Sequence, residues 1–219
     1  MLSFAPAQGT AKTTDMDSAA KLETFSADHI MSLVPKTGEF LIRSGKGSGK
    51  KVSMSMKRSK ESPDLWMLTF KNFYRLFIYG TSRGTVQITR IEILDRQKAI
   101  SFNPSIEFVP SRIAATTRME RSGWTKVSNL ASGKNINEGT FTHSLKGVSR
   151  TDFETPAGMV DGYLILHESW LDLKYAKLRI HLEAGFSKEK QLIYWRTKSV
   201  LKKFLFFGSK TIHEFIVSN

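Results

Sequence analysis

The sequence predicts a mainly β protein, a sandwich or barrel of antiparallel strands with a short N-terminal helix and one amphipathic C-terminal helix. Short stretches in which apolar and polar residues alternate recur along the 219-residue chain, and turns rich in Gly, Pro or Asn separate them. One stretch near the C-terminus instead places its apolar residues at helical spacing. Because no internal repeat divides the chain, we expect residues 25–219 to form a single β-rich domain.

The N-terminal region differs from the rest of the chain. Residues 1–24 are rich in Ala, Thr, Ser and Asp and have no sustained apolar period. Such a segment buries too little apolar surface to offset the entropy of ordering it, so we expect a flexible arm. Ser26 is a suitable N-cap for a short helix through Leu33, and Pro35 would prevent its continuation.

A basic hairpin is predicted between residues 39 and 60. Phe40 and Ile42 alternate with polar neighbours before a loop of Gly, Ser and Lys at 44–50. Residues 52–56 then alternate Val and Met with Ser, which is typical of a half-buried strand.

Further short strands are predicted in the middle of the chain. The apolar stretch 65–79 is expected to form two strands because Lys71 and Asn72 interrupt it. The alternation slips in phase at Arg90, which indicates a β-bulge, and residues 106–108 form a strand between two prolines. Residues 122–140 contain several Gly, Ser and Asn and predict a loop.

The last third of the chain alternates polar and apolar segments. Residues 149–161 are polar and are predicted to be mobile. Residues 163–173 and 178–182 have strand patterns, and residues 212–217 are expected to add a last strand.

A C-terminal helix is predicted from Lys188 to Phe207, with Ser187 as its N-cap and Gly208 as its terminator. Its apolar arc contains Ile193, Val200, Leu201, Phe204, Leu205 and Phe207. The opposite arc combines the basic Lys188, Arg196, Lys198, Lys202 and Lys203 with the apolar Leu192, Trp195 and Phe206. Apolar residues among lysines suggest a helix that binds a membrane interface or a partner, or that stacks on RNA bases. A core helix covered by another element is the alternative.

Positive charge is concentrated in two segments. The formal net charge is +13, and residues 41–60 contain seven basic residues and no acidic one. Residues 187–210 contain seven basic residues and one acidic residue. Such blocks draw a protein to nucleic acid, anionic lipid or an acidic protein surface.

Motifs of catalysis and metal binding are not found. The chain has no cysteine, and no pair of its histidines has the spacing of a helical zinc motif. The Gly-rich loop departs from the phosphate-binding loop of nucleoside triphosphatases, since Ser44 stands where that pattern requires Gly and Lys51 where it requires Ser or Thr. No Gly-x-Ser-x-Gly elbow occurs. We therefore expect no catalytic residue, no metal and no cofactor.

A secretory signal and a membrane-spanning helix are also not found. Acidic residues follow closely on the first short apolar stretch, unlike in a secretory signal, and no run approaches the roughly 18 to 20 apolar residues of a membrane-spanning helix. We expect an intracellular protein that is not secreted, in the cytoplasm, with the nucleus or the inner membrane surface as alternatives. Residues 57–60 fit a nuclear import signal.

Two candidate binding surfaces follow from these patterns. The hairpin surface, for nucleic acid or another anion, consists of Arg43, Lys46, Lys50, Lys51, Lys57, Arg58 and Lys60. The C-terminal surface, for a membrane or a partner, consists of Lys188, Leu192, Trp195, Arg196, Lys198, Lys202, Lys203 and Phe206.

The basic loop Ser44–Lys51 and the predicted helix Lys188–Phe207 give the chain a profile that resembles the matrix proteins of negative-strand RNA viruses. These are small, basic, β-rich proteins with an N-terminal arm, and the resemblance implies basic patches that meet membrane and nucleocapsid. The proline-rich late-domain motifs of many matrix proteins are absent, since residues 1–9 contain only one proline. Viral movement and capsid proteins share the same profile.

The sequence therefore predicts a non-enzymatic structural or assembly protein that binds RNA, anionic membrane lipid or both. One alternative is a viral movement or capsid protein that binds single-stranded RNA. Another is an adaptor domain for acidic lipid headgroups or an acidic protein, and a third is a small β-fold enzyme acting on a polyanionic substrate. The partner and the formation of a homo-oligomer stay open at this point.

Overall fold

The structure, a computed structural model, describes residues 24–26, 30–60, 62–82, 84–114, 118–203 and 208–218. One short 3₁₀ helix spans Leu94–Arg96. The strands in these residues are β1 (Thr24–Ser26), β2 (Lys36–Ser44), β3 (Lys51–Arg58), β4 (Leu65–Phe70), β5 (Tyr74–Gly80), β6 (Val86–Ile93), β7 (Lys98–Val109), β8 (Arg112–Ala114), β9 (Met119–Asn129), β10 (Asn135–Thr155), β11 (Gly158–Leu173), β12 (Ala176–Ser187), β13 (Leu192–Lys203) and β14 (Gly208–Val217).

Twelve of these strands form one closed antiparallel barrel. Neighbours in the chain are neighbours in the barrel from β2 to β7 and from β9 to β14, and pairing of β14 with β2 closes it. Strand β8 leaves this meander and pairs with β1 in a separate two-stranded sheet. Closure leaves the barrel without an unpaired edge, which stabilises a large antiparallel sheet in water. The predicted barrel of antiparallel strands is therefore confirmed.

Period-two patterns fold as the alternation predicts. In β3 the side chains of Val52, Met54 and Met56 are buried inside the barrel, while their neighbours face outward. Residues 65–79 form β4 and β5 with a turn between them, and the register shifts next to Arg90 as the phase slip predicts.

The predicted helices are not seen. Residues 192–203 form strand β13, which pairs with β12 and β14 along its length and so satisfies its backbone in the sheet rather than in a helix. The helix predicted from Ser26 to Leu33 is not seen either. Ser26 is the last residue of β1, and residues 27–29 lie outside the described part of the chain.

Two segments predicted as loops are strands. Residues 122–140 contain the end of β9 and the start of β10, and residues 149–161 form the far end of the β10–β11 hairpin. Gly139 explains part of the first error, because a Cβ there would lie 1.9 Å from the carbonyl oxygen of Asp172 on the paired strand. This glycine permits a close strand approach rather than a turn. Of the predicted arm, residues 1–24, only Thr24 is described, as the first residue of β1, and residues 1–23 lie outside the described residues.

The core of the barrel is aromatic. The rings of Phe70 and Phe215 stack with their centroids 4.9 Å apart, and Phe40 meets Phe70 edge-on at 5.3 Å. Trp195 packs beside them, 5.8 Å from Phe70 and 6.1 Å from Phe108. Aromatic groups of this size fill one part of the barrel interior at the density of a folded core.

A second, smaller apolar cluster lies outside the barrel wall. Phe153, from the far end of the β10–β11 hairpin, packs with Ile193 and Ile216 on the outward faces of β13 and β14. The hairpin therefore folds against the barrel, which explains why its polar sequence is nevertheless ordered.

Candidate functional site

The predicted hairpin surface is divided between the two ends of the barrel. The loop 45–50, with exposed Lys46 and Lys50, joins β2 to β3 at one end. Residues 57–60 lie at the far end of β3, about 25 Å away for a strand of this length. One compact ligand cannot reach both groups.

Two members of the hairpin surface have partners within the protein. The guanidinium Nη2 of Arg43 donates a hydrogen bond to the carbonyl oxygen of Glu154 at 2.5 Å. Lys51 Nζ forms an ion pair with Glu39 at 3.0 Å, with both side chains more than half exposed. The first contact holds the β10–β11 hairpin, whereas the second is an exposed pair that an anion can replace.

Two apolar members of the C-terminal surface are buried in the barrel. Because residues 192–203 form a strand, Leu192 and Trp195 are buried, and only 2% of Trp195 is exposed. Phe206 lies outside the described residues. The membrane or partner helix predicted here is therefore wrong in its geometry.

Two basic members of the C-terminal surface form ion pairs. Arg196 faces outward and lies between Glu183, at 3.4 Å, and Glu214, at 3.8 Å. Lys188 Nζ contacts a carboxylate oxygen of Asp161 at 2.5 Å. These ion pairs cancel the positive charge of Arg196 on the outer wall and of Lys188 in the turn before β13.

Four of the remaining basic residues meet at one end of the barrel, namely Lys46 and Lys50 of the hairpin surface and Lys202 and Lys203 of the C-terminal surface. We call this the basic end, and it comprises residues 45–50, 71–73, 94–98, 130–138, 172–177, 202–203 and 208–210. Its exposed basic side chains are Lys46, Lys50, Lys71, Arg96, Lys98, Lys134, Lys174, Lys177, Lys202, Lys203 and Lys210. Its acidic side chains are Asp95, Glu138 and Asp172. Pairing of β14 with β2 joins the N-terminal and C-terminal contributions.

A glycine allows the hairpin loop to lie on β14. Gly45 has φ of +97°, in the left-handed region that favours glycine, and a Cβ there would lie 2.1 Å from the carbonyl oxygen of Ile212. A larger residue would lift the loop, and Lys46 with it, away from the barrel.

A buried histidine lies inside the barrel near the basic end. His213 faces inward on β14, where the hydroxyl of Tyr74 lies 2.5 Å from its Nδ1. Burial lowers the pKa of His213; Asp95 acts in the opposite direction, and the charges of Arg96 and Lys46 lower the pKa further. The imidazole is consequently neutral at pH 7.

An apolar cavity of about 410 Å³ opens at the basic end. Side chains that face into the barrel are fully buried in its aromatic part, but those near this end are only half buried. Examples are Ile91, Ile93, Leu178, Ile180 and Leu201. The interior is therefore incompletely filled here, and the volume lies in the range of small-molecule sites.

The mouth of the cavity combines cations with exposed apolar side chains. Arg96, Lys98 and Lys203 line it, together with Tyr175 and Ile136, which are 59% and 44% exposed. Neither Lys98 nor Lys203 forms an ion pair with another described residue. A ligand with an apolar body and a negative head would meet matching chemistry.

A second basic area adjoins the basic end on the outer wall. The register places Lys177 beside Lys202 and Trp170 beside Arg179. The guanidinium of Arg179 lies 4.3 Å from the centroid of the Trp170 ring, which is 49% exposed. An exposed aromatic ring among cations is an arrangement suited to stacking on a nucleotide base.

Within the described residues, no group of three or more His, Asp or Glu side chains is placed to hold a metal ion. The same residues include no helix that is long and apolar enough to span a membrane.

Sequence reasoning identified Lys46, Lys50, Lys202 and Lys203 but missed the rest of the basic end and the cavity. The missed cations lie singly in short connections, such as Arg96 and Lys174, so no local charge run marks them. The signal that could have found them is that every second connection of an antiparallel meander lies at the same end of the barrel, and these cations lie in such connections.

Comparison with known protein families, curated proteins and solved structures gives no match to this chain.

Proposed function

We propose that this protein is a non-enzymatic protein that binds anionic membrane lipid through the basic end. The observation that supports this most is the convergence of lysines from separate segments around the mouth of an apolar cavity. Loop lysines such as Lys46 and Lys50 are exposed and project from one end, so a flat anionic surface can contact them simultaneously.

The strength of such binding follows from the number of cations. Each Lys or Arg near an anionic leaflet contributes about 1 kcal/mol, and this attraction falls off within a Debye length. Simultaneous contact of several side chains of the basic end therefore gives useful affinity at physiological salt. Its three acidic residues, Asp95, Glu138 and Asp172, are too few to cancel the attraction.

The exposed apolar side chains of the rim add a second contribution. The ring centroid of Tyr175 lies 5.3 Å from the ammonium of Lys174. Ile136 also lines the mouth of the cavity. Aromatic side chains favour the headgroup level of a bilayer, where one part of the ring is apolar and the hydroxyl is hydrated. Both residues can thus insert while the lysines contact headgroups.

Vesicle binding tests the proposal. The wild-type protein is expected to bind vesicles of phosphatidylcholine with phosphatidylserine, to bind pure phosphatidylcholine weakly, and to dissociate as salt is raised. The double variant Lys46→Gln/Lys50→Gln should lose about 2 kcal/mol of binding free energy, which is about 30-fold in affinity. Co-sedimentation across a series of vesicle concentrations measures the change.

The control removes the same charge from the opposite end. Lys57→Gln/Lys60→Gln should change vesicle affinity less than about twofold, because these residues face away from the membrane. Arg58 stays unaltered, since its guanidinium lies over the ring of Trp66 at 5.1 Å and contributes to packing. Equal losses in the two double variants would show that general charge attraction, not the basic end, drives binding.

RNA binding is the second candidate, favoured by the exposed Trp170 beside Arg179 on the outer wall. Here Trp170→Ala should weaken the binding of single-stranded RNA by about 1–3 kcal/mol, the range for loss of one stacked base. Trp124→Ala is the matched control, since Trp124 is 68% exposed on β9. Filter binding with an unstructured oligonucleotide measures both, and equal affinities of Trp170→Ala and wild type would exclude stacking at this site.

A role in assembly, as the resemblance to viral matrix proteins implies, belongs to the same proposal. A barrel that binds a membrane at one end leaves its opposite end and outer wall available for other contacts. The part of the outer wall that contains Trp170 would then stay clear of the lipid.

A further inference from the structure

We propose that the cavity at the basic end binds the hydrocarbon chain of a single-chain anionic amphiphile, with its carboxylate or phosphate head at Arg96, Lys98 and Lys203. This inference deepens the proposed function, on which it rests for its ligand class. In this proposal the protein is not only attracted to the membrane surface but also takes one lipid chain into its interior.

The depth of the cavity suits such a chain. Lys203 stands at the mouth and Trp195 lies at the inner end of the cavity on the same strand. The two residues are eight positions apart, which is about 26 Å along a strand and about 20 Å along the axis of a tilted barrel. A lipid chain that fills one leaflet of a bilayer reaches about 15 Å.

The wall is suited to hydrocarbon because it is mostly aliphatic and its buried phenol is already paired. The hydroxyl of Tyr74 lies 3.1 Å from Thr197 Oγ1 and 2.5 Å from His213 Nδ1. Burial raises the pKa of Tyr74 to about 12, although the hydrogen bond with Thr197 acts in the opposite direction, so the phenol is neutral. Most of the remaining lining is aliphatic, as with Leu178 and Ile180, and no charged side chain lines the cavity below the rim.

The rim selects an anionic head. Arg96, Lys98 and Lys203 come from three separate elements and surround the opening, and no acidic residue lines it among the described residues. A carboxylate or phosphate placed here keeps contact with water and gains charge-assisted hydrogen bonds. An uncharged head at the same place keeps the water contact but gains no charge-assisted hydrogen bond.

Titration calorimetry with palmitate, monoacyl phosphatidate and hexadecanol tests the proposal. The two anionic ligands should bind, whereas hexadecanol should bind at least tenfold more weakly, as expected for the loss of one charge-assisted contact. Shortening the saturated carboxylate from sixteen to eight carbons should lower affinity by about fourfold for each CH₂ removed. Comparison of palmitate with monoacyl phosphatidate shows which head the rim prefers.

Two variants with the same new side chain locate the ligand. Ile180→Trp fills the cavity from β12 and should abolish palmitate binding. Val200→Trp places a tryptophan on the outer face of the adjacent strand and should leave binding unchanged. If Ile180→Trp does not fold by circular dichroism, Ser199→Phe fills the same cavity from β13 and takes its place.

The outcomes separate this inference from the proposed function. Failure of palmitate and monoacyl phosphatidate to bind, or equal binding by the Ile180→Trp variant, overturns the cavity assignment. Equal affinities for palmitate and hexadecanol overturn the anionic rim. If Ile180→Trp still binds anionic vesicles, the surface attraction stands without the cavity. If wild type binds palmitate but not vesicles, the membrane proposal fails and the cavity assignment stands.

Discussion

Replacing Trp195 by alanine is expected to lower the free energy of unfolding by about 3–5 kcal/mol, the range for removing a large buried aromatic side chain. The ring is 2% exposed and contacts Phe70 and Phe108 at centroid distances of 5.8 and 6.1 Å. It also lies at the inner end of the cavity, so its removal enlarges an existing void rather than leaving a site that can collapse. Urea denaturation followed by circular dichroism measures the change.

Trp124→Ala is the matched control, because Trp124 also lies in a strand but is 68% exposed. This variant should stay within about 0.5 kcal/mol of wild type. Trp195→Phe should lose less stability than Trp195→Ala, since it keeps a ring and removes an indole N–H that has no hydrogen-bond partner in the described residues. If the Trp195→Ala variant were as stable as wild type, β13 would have to present its other face to the core.

The error at β13 has a physical cause. Its inward residues include the polar Thr197 and Ser199, which line the cavity wall, whereas its outward residues include Tyr194 and Val200. The alternation of apolar and polar residues is therefore blurred in this strand. The same apolar residues also fall on one side of a helix, and Ser187 resembles a helix cap. The strand is fixed by pairing with β12 and β14, which local patterns do not encode.

Strands with one clearly apolar face were predicted well. Residues 52–56 and the two strands in 65–79 bury every second side chain, so their period is visible in the sequence. The ends of β9 and β10 have polar outward residues and Gly139 at a close strand contact, which together imitate a loop. Tertiary pairing overrides local propensity at such positions.

Only part of the candidate site could be predicted from the sequence, for a related reason. The charge runs that contain Lys46 and Lys202 are local, and the sequence shows them directly. Their meeting depends on closure of the barrel between its first and last strands, β2 and β14. The cavity depends on inward residues of many strands that fail to fill the interior at one end. Neither property belongs to any single segment.

A buried histidine pair is expected to make the fold sensitive to acid. His143 and His167 stack at 5.1 Å inside the barrel, and His143 Nδ1 lies 2.8 Å from the hydroxyl of Ser169. Burial lowers the pKa of His143 from 6.5 to about 4. Burial also lowers the pKa of His167 well below 6.5, and the neighbouring His143 lowers it further. Both rings are therefore neutral in the folded protein at pH 7.

The sign of the effect follows from where protons bind first. Below pH 6.5 the unfolded chain takes up a proton at each histidine while the folded protein does not, so stability falls as pH falls. For His143 the difference between 6.5 and about 4 corresponds to about 3 kcal/mol, lost between pH 6.5 and pH 4. His167 adds a loss of the same sign that continues to lower pH.

Urea denaturation at pH 7.0, 5.5 and 4.5 measures this loss. His143→Gln keeps a neutral polar partner for Ser169 and cannot titrate in this range, so its stability should change less between pH 7.0 and 4.5 than that of wild type. His181→Gln is the control, because His181 lies on the outer wall with about a third of its side chain exposed and should leave most of the slope in place. If the His143→Gln and wild-type proteins lose stability in parallel, carboxylates rather than the buried pair govern the acid transition, and the neutral packing of His143 on His167 is wrong.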